Sequence, residues 1–107
     1  MLVFEQWNIE ELNGYRPMTT FWSDFSIADR FGYKAVIDTY KRAFNSWKHD
    51  YKYLTELVLV LNHKAWQHAE TNPVLCDFYI QLYEQADNYA IDNLKGHERR
   101  YFFEVTD

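Results

Sequence analysis

The chain has 107 residues, a formal net charge of -5 and one cysteine, Cys76. A lone cysteine excludes an intrachain disulfide framework, and the acidic balance opposes the phosphate neutralisation on which non-specific nucleic-acid binding rests. The longest apolar run, Leu57 to Leu61, falls far short of the ~18–20 residues of a membrane span.

Composition is ordinary except in its rings. Four tryptophans, nine tyrosines and eight phenylalanines accompany a mean hydropathy of -0.53, so many rings must pack while tyrosine hydroxyls stay at the rim. A chain of this length forms one domain and buries roughly 60–70% of its unfolded surface.

The first residues carry no sustained period. Phe4, Trp7, Ile9 and Leu12 are irregularly spaced, and Gly14-Tyr15-Arg16-Pro17 reads as loop. The expectation is an N-terminal extension over 1–17 before a single helical domain over 18–107, with Met18 as an alternative start. The stretch Met1 to Glu5 lacks the basic residues that open a secretory signal, and together with the single cysteine this points to a reducing, cytoplasmic setting.

Thr20 is a good cap for a helix from Phe21 to Phe31, with Asp24 in its first turns and Gly32 after its end. A second helix, Tyr33 to Lys48, places Val36, Tyr40, Ala43 and Trp47 on one face, with Phe44 beside them and Lys34, Asp38, Lys41 and Asn45 opposite.

Asp50 caps a third helix whose apolar stripe is Leu54, Leu57, Val58, Leu61 and Ala65. Leu59 and Trp66 fall nearly opposite Leu54, which predicts a central helix packed on two sides. Thr71-Asn72-Pro73 breaks the chain, because Pro73 has no backbone donor and suits a first helical position, while Asn72 caps. The fourth helix buries Leu75, Phe78, Tyr79, Leu82, Ala86, Tyr89 and Ala90, and Gly96 ends it. Glu98 to Val105 is either a short helix or an extended strap. The expected fold is all-α, a compact bundle of four main helices with a central helical hairpin.

No motif demands a reaction. Glu-x-x-His and His-Glu-x-x-His are absent, and His63 and His68 lie about 140° apart on their helix, so neither a metal nor another cofactor is expected. His63, near Glu56, reads as a solvated histidine. His68 is the stronger ligand or pocket candidate, because it lies near the apolar stripe at a helix C-terminus. Asp87 is a second, set among Ile80, Tyr83, Ile91 and Leu94, where cover would raise its pKa; Tyr89 is a third, on a wall of an inter-helix pocket near His68. Asp24 and Asp29 are accounted for by helix-end electrostatics and surface solvation. Cys76, among Leu75, Phe78 and Ile80, reads as a buried thiol.

Charge is the clearest functional hint. The second helix carries Lys34, Lys41, Arg42 and Lys48, whereas the fourth carries Asp77, Glu84, Asp87 and Asp92 and no base. Such an arrangement either matches helices within the bundle or steers a protein partner or a second copy. The surface candidates are Asp77, Glu84, Asp92, Lys41, Arg42, Arg99 and Arg100. Nucleic acid is disfavoured as a partner, and so is a membrane.

The phrases Thr20-Phe21-Trp22-Ser23-Asp24-Phe25-Ser26-Ile27-Ala28-Asp29-Arg30-Phe31-Gly32, Tyr51-Lys52-Tyr53-Leu54-Thr55-Glu56-Leu57 and Asp92-Asn93-Leu94-Lys95-Gly96 resemble a family of small uncharacterised proteins encoded in gut Bacteroidales, often near mobile elements. The resemblance covers residues 18–107 and implies an accessory or regulatory role without catalytic residues. The functional expectation is a non-catalytic protein-interaction or regulatory module; the alternative is a small ligand-binding or enzymatic bundle with a pocket near His68.

Overall fold

A computed structural model describes residues 16–106, and these form five helices and no strand. They are α1 (Arg16–Asp29), α2 (Tyr33–Trp47), α3 (Tyr51–His68), α4 (Pro73–Asn93) and α5 (Gly96–Thr106). The expected extension over 1–17 lies outside the described residues except for Arg16 and Pro17, which belong to α1. The loop expected at Arg16-Pro17 is therefore corrected, and Thr20 lies inside the helix instead of capping it. Proline is compatible with a first helical turn, where its missing N–H has no intrahelical partner to lose.

α1 closes through backbone bonds from Phe31 and Gly32 to the carbonyl of Ala28, at 2.9 and 3.2 Å. Gly32 then turns the chain at φ 100°, a conformation that side chains disfavour, and opens α2 without any side-chain cap. The next two starts use local chemistry. Asp50 Oδ1 accepts from the backbone N–H groups of Lys52 and Tyr53 at 3.2 and 3.3 Å, and Asn72 Oδ1 accepts from that of Leu75 at 3.2 Å ahead of Pro73. α4 ends at Asn93, and Gly96 follows in the left-handed region at φ 58°. The last segment is helical.

α3 is central and packs against the other four helices, most extensively against α4. Its buried residues Leu54, Thr55, Glu56, Leu57, Val58, Val60, Leu61, Lys64 and Ala65 reach around most of its circumference. The expected second contact side is met at Leu59, which packs against the core, but not at Trp66. Leu59 is partly buried and Trp66 is 74% exposed, while Glu56, the neighbour of the histidine read as solvated, is covered. Once Glu56 is inside, His63 is half-buried too, and burial lowers its pKa, so the solvated reading of that histidine is corrected.

Aromatic pairs explain much of the unusual composition, because they occur at the joints between helices. Tyr33 stacks on Phe78 with ring centroids 4.9 Å apart, and Phe44 meets Tyr89 edge-on at 5.0 Å, both joining α2 to α4. Trp47 meets Tyr53 at 4.4 Å across the turn into α3, and Tyr51 meets Tyr101 of α5 at 5.3 Å. Each such pair contributes about 0.5–1.5 kcal/mol beyond its buried area. No helix of the described residues is long and apolar enough to cross a membrane.

Candidate functional site

The first candidate is a polar cluster where α1, α3 and α4 meet. Asp29 is the last residue of α1, a position where the helix dipole disfavours a carboxylate. Three groups offset that. Its Oδ2 lies 2.6 Å from Lys64 Nζ and 2.8 Å from His68 Nε2, and its Oδ1 accepts from the Tyr79 hydroxyl at 2.5 Å. Asp29 is therefore no surface carboxylate: its side chain is 13% exposed and that of Lys64 only 1%.

A buried ammonium needs an acceptor for each of its three N–H donors, and Lys64 has them. Besides Asp29, it donates to Ser26 Oγ at 3.3 Å and to Gln67 Oε1 at 2.5 Å, with the face of Trp22 4.6 Å away. Tyr79 lies nearly parallel to the His68 ring at 5.7 Å and edge-on to Phe25 at 5.7 Å. Burial, together with the hydrogen bond and negative charge of Asp29, pushes its hydroxyl pKa far above the usual value, so Tyr79 is a fixed donor. His68 Nδ1 makes no hydrogen bond to the described residues.

The second candidate is a groove of about 320 Å³ between the last turns of α3 and the first half of α4. Ala65 and Ala69 supply small residues on the α3 side, with Asn62 and Trp66 beside them; Cys76, Ile80, Tyr83 and Glu84 line the α4 side. Small side chains there permit close approach, and the exposed indole of Trp66 stands beside them. Cys76, expected in the core, is half-buried along this groove. A third cavity, about 310 Å³, lies between α1 and α2, with Ile27 and Phe31 beside Asp24, Asp38 and Arg42.

The sequence candidates fall in separate places. His68 joins the Asp29 cluster, whereas Tyr89 packs on Phe44 farther along α4. Ten residues separate Tyr79 from Tyr89, about 15 Å of helix. Asp87 is half-buried one turn beyond Tyr83, and burial raises its pKa. Asp77, Glu84, Asp92, Lys41, Arg42 and Arg100 are exposed. Arg99 is engaged within the fold: its Nη1 donates to the Ile91 carbonyl at 2.5 Å and its guanidinium lies 5.2 Å from the Phe103 ring centroid.

Among the described residues, no ion pair joins the bases of α2 to the acids of α4. No group of acids, histidines and cysteines suited to a metal occurs among them either.

Sequence reasoning missed Lys64 and Asp29, and a signal for the lysine was available. Lys64 lies seven residues after Leu57 and three after Leu61, on the apolar stripe itself, where a charge calls for a buried partner. Comparison of the chain with protein-family models, with curated proteins and with solved structures gives no match.

Proposed function

We propose that this is a non-catalytic protein-interaction module, regulatory in role, that binds through the groove between α3 and α4. The observation carrying this reading is the 74% exposure of Trp66 beside a groove lined by Ala65, Ala69, Ile80 and Tyr83. Tryptophan and tyrosine dominate the energetic centres of interfaces, because they bury a large rigid area with little loss of side-chain freedom. The opposite charges of α2 and α4, which no ion pair joins among the described residues, support the same reading, and so does the resemblance of residues 18–107 to a family of small uncharacterised proteins, which implies an accessory or regulatory role. The compact four-helix organisation is then a scaffold for this face, with α5 closing its far end.

The test is a photo-crosslinking residue at position 66 or 80, compared with one at exposed Asn45, in cells of the organism that encodes the chain. Protein crosslinks from 66 and 80 but not from 45 are the expected result. Absence of crosslinks from the groove positions removes the reading.

A second reading, a small-ligand site beside His68, draws on the Nδ1 of that residue, which has no hydrogen bond among the described residues, and on its stacking on Tyr79. Native mass spectrometry of the purified chain tests it directly. A bound small molecule lost in His68→Ala supports this reading, and a bare mass argues against it.

A further inference from the structure

The groove has a charge as well as a shape, and that charge selects its occupant. α4 presents Asp77, Ile80, Glu84 and Asp87 at spacings of three and four residues, one continuous ridge beside the groove. Glu70 stands at the end of the α3 side, next to Ala69. Asp77, Glu84 and Glu70 are exposed. No lysine or arginine occurs between Lys64 and Lys95, and the ammonium of Lys64 is held in the Asp29 cluster. The opening is therefore apolar within and negative along its border.

We infer that the groove receives an amphipathic helix from another protein, with apolar residues at i, i+3 or i+4, and i+7 and with lysine or arginine flanking them. Its dimensions suit that occupant. Asn62 to Ala69 span about 10 Å of α3 and Cys76 to Glu84 about 12 Å of α4, and a helix separates residues i and i+7 by about 10 Å. Exposed carboxylates along the border steer a basic segment into register and repel an acidic one.

The same reasoning weighs against two other occupants. Residues 1–15 carry Glu5, Glu10 and Glu11 and neither lysine nor arginine, so they share the sign of the border. A second copy would have to offer α2, or α5, where Arg99 is already engaged with the Ile91 carbonyl and Phe103 and only Arg100 is exposed. On α2, Val36 and Tyr40 are buried and Ala35, Ile37, Ala43, Phe44 and Trp47 are partly buried, so Tyr33 at its first residue is the one exposed large apolar side chain it could offer, and a single ring does not supply a stripe at i, i+3 or i+4, and i+7.

The inference rests on the interaction reading above, and its test separates the two. Full-length protein is used to select from a displayed library of 15-residue helical peptides, with leucine fixed at i, i+3, i+4 and i+7 and random flanks, against counter-selection on Trp66→Ala. The expected outcome is enrichment of lysine and arginine in the flanks. The selected peptides should weaken at least tenfold on Trp66→Ala, at least tenfold on Glu84→Lys, and about tenfold between 50 and 500 mM salt. Both substituted side chains are exposed, and unchanged circular dichroism verifies that the variants fold.

Enrichment of acidic or neutral flanks overturns the inference, as does failure to enrich any peptide or binding indifferent to Trp66→Ala. A dimer in sedimentation equilibrium that Trp66→Ala dissolves places a second copy in the groove and overturns it as well. If position 66 crosslinks to a segment that is not a basic helix, this inference fails and the interaction reading stands; if it crosslinks to nothing, both fail.

Discussion

Lys64 Nζ sits 2.6 Å from Asp29 Oδ2, joining the middle helix of the fold to the C-terminal end of α1. The lysine is almost wholly covered, so the pair cannot be valued like a surface salt bridge. Removing one charge from a buried pair strands the other, which typically costs about 3–5 kcal/mol, whereas replacing both by apolar groups is often nearly neutral. Asp29→Ala is therefore expected to lose about 3–5 kcal/mol in urea denaturation. Lys64→Met should lose less, because His68 and Tyr79 still hold the carboxylate, and Asp29→Ala combined with Lys64→Met should recover much of the loss. Additive losses in the double variant would show that the pair is not coupled.

The hydroxyl of Tyr79 donates to that same carboxylate, and the Phe25 carbonyl lies 3.4 Å away as a second acceptor. Tyr79→Phe keeps the ring contacts with His68 and Phe25 and removes only the donor. A hydrogen bond to a charged group is worth about 1.5–3 kcal/mol, and a loss in that range is expected. Loss below about 0.5 kcal/mol would mean that Asp29 finds another donor at no cost.

Alkaline titration gives a second handle. Burial raises the Tyr40 pKa from its usual 10.0 to about 12, and that of Tyr79 goes higher still. Both are neutral when folded over a range where the unfolded chain would ionise them. The stability they confer is complete below about pH 10 and is lost as pH rises through the folded values. Tyrosinate absorbance at 295 nm should match between the wild type and Tyr40→Phe up to about pH 11 and differ only above it. A difference already present at about pH 10 would show that Tyr40 is open to solvent.

Gly32 holds φ 100° between α1 and α2, and nothing lies within 4 Å of where a Cβ would be. The cost of Gly32→Ala is therefore backbone strain without a clash, about 1–3 kcal/mol in thermal or chemical unfolding. Near-zero change would mean that the turn relaxes to an ordinary conformation. Loss of a helix cap acts by a different route: Asp50→Ala should lose about 1 kcal/mol by freeing the N–H groups of Lys52 and Tyr53.

The hairpin of α3 and α4 was legible because its signals are local. Asp50, Asn72 and Pro73 act on backbone groups within three residues of themselves, and the 3.6-residue period identified the inner face of each helix. Of the polar cluster, His68 and the misplaced charge of Lys64 on the apolar stripe were legible, but their partner was not, since a pattern reading assigns a helix-end carboxylate to solvent. Nothing near Asp29 in the chain reveals that Lys64, His68 and Tyr79 will surround it. Trp66 failed for the converse reason: its position on the helix gives a direction, and only the placement of the neighbouring helices decides whether that direction is covered.

The joint at Asp29 also bears on the order in which the fold is assembled. α3 and α4 are linked by the short turn from Ala69 to Asn72, so their contacts close early and at low entropic cost. Asp29 and Tyr79 are 50 residues apart in the chain, and their bond can form only after α1 has returned across the whole of α2. Substitutions at Asp29, Lys64 and Tyr79 should therefore hasten unfolding far more than they slow folding, which makes this cluster the latch that sets the lifetime of the native state.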